Sequence, residues 1–547
     1  MSSSEASHVA QDPLPAGRSP KPDYSTVIPV ELWLLLCKPS TGLTKADYGN
    51  LRRTCTLFRY VFQSPVFERI THRVNPPFNI NLDDFDEDEF AARVTTSVLE
   101  RLGRLNSPPP GCPSLVQDYT LKHWNAIRTG KEQTTEEKSR FNMALSCLCH
   151  SLKHFLSLNT LTLVDSHVSE EMIATIASLH TLKNFRLVEC SFAARGPLSS
   201  GALVAVENLR LEGSNFMLKV GQRHRVVASL KLFSSKKLKE LGLLSLRDGT
   251  DVLSHLISQG PAPHLHYLEV AITSDSVDYR ALLEFLSCCP VLENLIVDLR
   301  DRDPWLPQDI RNDLPSLIHD KVVPSLRTFR GPAELAAILV PNRPVTDLGV
   351  RMGLWEEGRW KSKTLPILYD MSRSSASIRA LYLPLLPPRP ELFTIIADRF
   401  PDLRNLQLWV DDRTEVAEEE ESDAMPDSSN CEMIDVDEEG NPLSSPNSLK
   451  VRLISFRLKG FLPVLCLQGI IERLAMGLLK LPPSIESLFV GDNVHDRSSS
   501  RTCMTYAELE NAVYELSQQY ASLQTVLFRP EQARWLMQQG GQGHLES

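Results

Sequence analysis

From about residue 150 the apolar positions fall into one short pattern, Leu-x-x-Leu-x-Leu, with other apolar residues allowed. It opens at Leu158, Leu182, Val206, Leu238, Leu265 and Leu292, and returns at Leu326, Val345, Ile378, Leu403, Leu453, Ile485 and Leu523. The first six spacings are 24, 24, 32, 27, 27 and 34 residues, in or near the range of leucine-rich repeats. Around 326–360 the spacing drops to 19 and the motif degrades, so the register there is open. The period of two predicts a strand whose alternate residues enter a shared core. Apolar stretches between the copies predict return helices, one capped by Ser169 and running through Met172, Ile173, Ile176 and Leu179. Another runs through Leu282, Leu283, Phe285 and Leu286, and Pro290, Pro401 and Pro482 stop a helix and turn the chain to the next strand. A single copy is weak evidence, and unrelated strands of a mixed α/β protein are the competing reading. Thirteen copies with helices between them favour a repeat array.

Ahead of the array, Ile28-Pro29-Val-Glu31-Leu32-Trp33 opens a helix with Pro near its start. Thr44, with Asp47 three residues on, caps a second helix. Leu51, Cys55, Phe58 and Phe62 continue one apolar face, onto which Phe67 and Ile70 fold back. Residues 73–150 predict a helical bridge and solenoid cap, with a helix over Lys138–Leu156.

These N-terminal residues carry a resemblance. Ile28-Pro29, Glu31-Leu32-Trp33, Asp47-Tyr48, Leu51, Cys55 and Phe58 look like the F-box, over roughly 28–70. Ile28 and Tyr48 stand where that family usually has Leu, and Lys38–Gly42 replaces what is often helix. The resemblance implies a Skp-type adaptor as partner, and through it a cullin ubiquitin ligase. By resemblance Ile28, Pro29, Leu32, Trp33 and Leu51 sit at the adaptor interface. An ordinary helical hairpin capping the repeats is the alternative. The helix-to-strand form Cys289-Pro290-x-Leu292-x-x-Leu295 resembles that of F-box-associated leucine-rich repeats. The expected fold class is therefore α/β: a three-helix F-box-like module at 25–72, then an irregular leucine-rich-repeat solenoid or horseshoe over 151–547. The function implied is a substrate-recognition adaptor of an Skp–cullin–F-box ligase, the repeats binding an unidentified protein substrate. The alternative is a leucine-rich scaffold with no ligase role.

Charge changes the picture in one segment. The chain of 547 residues has a net charge of −10. Between Asp411 and Glu439, 14 acids face one base, Arg413, so this stretch carries −13 and everything else sums to +3. An acidic insertion at 411–447 is expected to be disordered, as is the Ser- and Pro-rich leader 1–24. Nothing points to nucleic acid. No apolar run reaches the 18–20 or so residues that cross a bilayer, which leads us to expect no membrane partner. Eleven scattered cysteines suit reduced thiols in cytoplasm or nucleus.

Candidate chemistry is sparse. In Cys147-x-Cys149-His150 the cysteines, two apart on a helix, face different sides, and no second ligand pair follows at zinc-finger spacing, so no metal is expected. Gly540-Gly541-Gln-Gly543 lacks the strand and helix of a dinucleotide loop. No catalytic residue and no cofactor are called. The residue between the last two core positions of each copy points away from the core. Those positions include Arg186, Arg210, Tyr382, Gln407, Arg457 and Phe489, with Trp409 just beyond. Arg, Tyr and Trp favour interface hot spots, so this face is the expected partner surface for an acidic or extended segment.

Overall fold

The computed structural model describes residues 42–54, 68–73, 113–124, 135–192, 203–213, 233–244, 249–273, 275–299, 309–310, 312–313, 318, 322–351, 364–386, 390–410, 467–492, 506–529, 533–537 and 543–546. The F-box-like opening at 28–37, the acidic insertion and the copy at Leu453 lie outside them. The chain divides into two units, Met1–His167 with Glu171–Leu182, and Val168–Glu170 with Lys183–Ser547.

The first unit holds helix α1 (Lys45–Thr54), strands β1 (Arg69–Arg73) and β2 (Asp118–Lys122), α2 (Thr135–His154), β3 (Thr160–Val164) and α3 (Glu170–Ala177). The cap of α1 is as read from the sequence. Thr44 N donates to Asp47 Oδ2 at 2.8 Å and Asp47 N donates back to Thr44 Oγ1 at 3.3 Å. The three strands are parallel and in register. The stretch read as a helical bridge thus also contains a strand, β2, and Ile70 lies in strand β1 rather than in a helix. The same pattern is present there in disguise, as Val116-x-x-Tyr119-x-Leu121, with Tyr119 in a leucine slot. In β1 the last slot, opposite Leu121, falls to His72, which is buried and 3.2 Å from the Tyr119 hydroxyl through Nδ1. A contact between two polar side chains stands there where other copies pack leucines.

The second unit continues the alternation. Its strands are β4 (Asn184–Val188), β5 (Asn208–Glu212), β6 (Glu240–Leu243), β7 (Tyr267–Ile272), β8 (Asn294–Leu299) and β9 (Thr328–Pro332). They go on through β10 (Asp347–Arg351), β11 (Ala380–Leu386), β12 (Asn405–Val410), β13 (Ser487–Asp492) and β14 (Thr525–Arg529). Neighbours pair in parallel from β4 to β14. Then β15 (Ala533–Met537) and β16 (Gly543–Glu546) add antiparallel strands. So a strand does precede the glycine run at 540–543, but β16 rather than a helix follows it. Return helices are α4 (Gly249–Ser258), α5 (Ser276–Ser287), α6 (Ala333–Leu339), α7 (Leu365–Met371), α8 (Pro390–Arg399), α9 (Leu467–Ala475) and α10 (Tyr506–Gln519).

The apolar positions of the repeats are the core: Leu268, Leu295, Phe329, Leu348, Leu381 and Leu488 are all 0% exposed. The degraded register is regular over the described residues 326–351. A helix of only 7 residues, α6, fits the short spacing, and β9 and β10 pair without a break. Gly331 stands where the last leucine of that copy belongs, and that is what blurs the motif.

One backbone device recurs within each unit. The carbonyl of the residue just before a strand accepts two N–H groups from the next copy. His266 O takes Glu293 N and Asn294 N at 3.0 and 2.9 Å, and Glu293 O takes Arg327 N and Thr328 N at 2.8 and 2.9 Å. This satisfies the polar backbone at the turn into each strand, which apolar packing alone leaves unpaired.

Candidate interaction surface

Parallel register places the residues that face away from the core in a single row across the second unit. In order they are Arg186, Arg210, Gly242, Glu269, Ile296, Arg330, Gly349, Tyr382, Gln407, Phe489 and Leu527. Each neighbour is about 4.8 Å from the next along the hydrogen-bonding direction. Of the predicted surface residues, Arg186, Arg210, Tyr382, Gln407 and Phe489 all fall in this row, and Trp409 lies two positions further along β12. Arg457, Ile28, Pro29, Leu32 and Trp33 lie outside the described residues, and Leu51 is half-buried on α1.

Glycines in the row let large side chains lie flat across a strand. At Gly242 an added Cβ would meet Arg210 Cγ at 3.0 Å, and at Gly349 it would meet Arg330 Cγ at 2.8 Å. Both arginine stems therefore cross a bare strand to reach the strand beyond it. What they find there differs.

Arg210 Nη2 reaches Glu269 Oε2 at 3.3 Å, while its Nε also hydrogen-bonds Glu212. Arg186 Nη2 donates to Glu212 Oε2 at 2.8 Å. Burial pushes the Glu212 carboxyl up, but hydrogen bonds from Arg186 and Arg210 outweigh it and hold the group below the usual range. The Tyr267 hydroxyl donates to Glu269 at 3.3 Å. The two arginines expected to receive an acidic partner are thus already paired with acids of the same face.

Arg330 instead lies over the Tyr382 ring, 5.0 Å from its centroid. The nearest carboxylate, Asp347, is 3.8 Å away, too far for a hydrogen bond. The Asp347 Oδ1 atom is buried with no hydrogen-bond partner among the described residues. Burial pushes the Asp347 carboxyl up, and Arg330 offsets part of that. The Arg330 side chain is 49% exposed. Further along, the Trp409 and Phe489 rings sit 4.8 Å apart, tilted by 51°. Gly491 makes room for them, since a Cβ there would meet the Phe489 ring at 3.0 Å and Trp409 at 3.3 Å. The glycines were the missed signal: sequence reading marked the large residues and passed over the small ones that let them lie down.

Elsewhere the chemistry is thin. Cys149 is buried and its thiol is pushed up by burial. Burial does the same at Cys289. Among the described residues no three His, Cys, Asp or Glu side chains converge as metal ligands. His123 Nδ1 lies 3.0 Å from Asp165 Oδ2, both at left-handed backbone positions just after β2 and β3. Among the described residues no helix is long and apolar enough to cross a membrane.

No family model matches this chain, and no curated protein does. Among solved structures 36 chains match. One is that of a TLR13–ssRNA13 complex, with 13% identity and a TM-score of 0.28, over 56% of this chain and 38% of that one. The chain thus corresponds to well under half of that protein's length, and at this score the likeness carries no argument about ligand or function.

Proposed function

We propose that this chain is a non-catalytic interaction protein whose repeat face captures a partner segment through Arg330, Tyr382, Gln407, Trp409 and Phe489. The observation that supports this reading most is the contrast within one row of side chains. The arginines near β4 and β5 are held by Glu212 and Glu269, whereas Arg330 keeps a half-exposed, ring-stacked guanidinium beside an aromatic pair. An arginine with aromatic neighbours is the composition of interface hot spots. The spacing favours an extended segment. From Tyr382 on β11 to Phe489 on β13 is two strand spacings, about 10 Å, which three extended residues span at about 3.3 Å each. The expected ligand carries a carboxylate about three residues from a large apolar side chain.

The F-box-like residues Ile28, Pro29, Leu32 and Trp33 support a finer reading, in which the captured protein is a ubiquitin-ligase substrate. The adaptor would then raise the substrate's local concentration near the ligase rather than act on it chemically.

Two arms test the two levels. A displayed library of random ten-residue peptides, panned on the full chain, is expected to enrich the acidic-and-apolar spacing. Enrichment that survives Arg330→Ala and Phe489→Ala unchanged would remove the face from the account. Co-expression with a Skp-type adaptor, beside a Pro29→Ala/Leu32→Ala variant, tests the ligase level. Binding lost in the variant supports it. No binding by the intact chain leaves a leucine-rich scaffold without a ligase role.

A further inference from the structure

The end of α2 carries a feature unrelated to the repeat face. His150 and His154 are four residues apart, both exposed, and their Nε2 atoms lie 3.0 Å from each other. The rings meet edge to face, with centroids 4.5 Å apart. Two nitrogens bound to one metal at 2.0–2.1 Å, at angles between square and tetrahedral, are separated by about 2.9–3.4 Å. The pair already has that separation. Cys149, which the sequence places beside His150, belongs to the other side of the helix and is buried. The useful spacing is therefore His-x-x-x-His, not Cys-x-Cys-His.

We propose that His150 and His154 form a two-histidine chelate for a borderline divalent transition-metal ion, with water completing the coordination. Imidazole nitrogens suit copper, nickel and zinc and disfavour magnesium and calcium, which take oxygen ligands. The helix adds to this. His154 is the last residue of α2, where the final carbonyls give the helix end a partial negative charge that favours a cation. Without metal, one Nε2–H donates to the other ring's Nε2 lone pair. On binding, the donor ring moves its proton to Nδ1, so that both Nε2 lone pairs face the metal and no net proton is released from the neutral pair. Lys153 lies between the two histidines in sequence, is itself exposed, and opposes the cation electrostatically. Two protein ligands and that charge make the site an exchangeable one rather than a structural closed site.

The test is calorimetric titration of the intact chain with Ni2+ alone, then with Cu2+ and Zn2+, against His150→Ala and His154→Ala. Fourteen histidines give background binding, so the readout is the difference between variants. Each single substitution is expected to weaken the tightest site by at least about tenfold. Affinity should follow Cu2+ above Ni2+ and Zn2+ and fall on acidification, because the ligands must be neutral. Both side chains are exposed, so circular dichroism should be unchanged in the variants. Superimposable isotherms for all three proteins would overturn the proposal. So would a loss confined to one of the two substitutions, which is the behaviour of a single ligand and not of a chelate.

Discussion

Arg210 and Arg330 occupy the same row, lie across the same kind of glycine and reach two strands along, yet they end in opposite circumstances. Arg210 reaches Glu269 and shares Glu212 with Arg186, which makes a closed network of charges. Arg330 reaches an aromatic ring, with the Asp347 carboxylate 3.8 Å away. The first arrangement ties neighbouring strands together, and the second leaves a half-exposed guanidinium lying over a ring. The strands pair in parallel in both regions, so the difference lies in a few side chains that the repeat pattern does not specify. A repeat fold supplies a surface, and which part of it binds depends on which charges are left unmatched.

The comparison breaks most visibly through the aromatic pair. Trp409→Ala together with Phe489→Ala is expected to weaken an enriched peptide by at least about 30-fold in fluorescence polarisation, the scale of a hot spot near 2 kcal/mol. Thermal stability should change little, because both rings are only half-buried. The opposite pattern is expected in the charged region. Glu212→Gln should destabilise the fold by about 1–2 kcal/mol, since it removes the acid from two arginines in a partly dry site, and should leave peptide affinity intact. The folded carboxyl lies below its ordinary value of about 4.3, so its stabilisation is present above that pH. It is lost as pH falls through the lower folded value, and chemical denaturation of wild type and variant should converge there. If the gap persisted in acid, the pairing would not be the cause.

Smaller effects sharpen the role of the glycines. Gly349→Ala places a methyl against the Arg330 stem and is expected to lower peptide affinity a few-fold with less than about 1 kcal/mol of stability lost. Gly242→Ala, one half of the row away, should leave affinity unchanged. The smallest effect concerns Asp347, whose carboxyl is pushed up by burial. Its ionised form is the disfavoured one, so Asp347→Asn should raise the melting temperature slightly at pH 7, and the gain should shrink as pH falls. The same variant removes a competitor for Arg330 and should tighten an acidic peptide.

Much of this molecule was legible because leucine-slot periodicity is dictated by burial. Twelve of the thirteen copies coincide with strands β3 to β14, and the thirteenth, at Leu453, lies outside the described residues. The two parallel strands that the pattern does not reveal have His72 and Tyr119 in those slots, where a side-chain hydrogen bond stands in place of apolar packing. Which residues face outward was also legible, since a period of two admits one answer. Their electrostatic state was not. Glu212 belongs to the next position of β5 and Glu269 to another copy, and only the strand register shows that both meet Arg210. At 147–150 the cysteine spacing is the more conspicuous pattern, whereas the converging nitrogens are those of two histidines one helical turn apart.

We propose that the Arg330 region, and not the Arg210 region, contacts the partner. The most direct measurement is the affinity of one library-selected peptide for Arg330→Ala and for Arg210→Ala, each checked for folding by circular dichroism. The account predicts a loss of about tenfold or more for Arg330→Ala, and a change within about twofold for Arg210→Ala. Equal losses, or a larger loss at Arg210, would contradict it and move the binding surface to the charged end of the row.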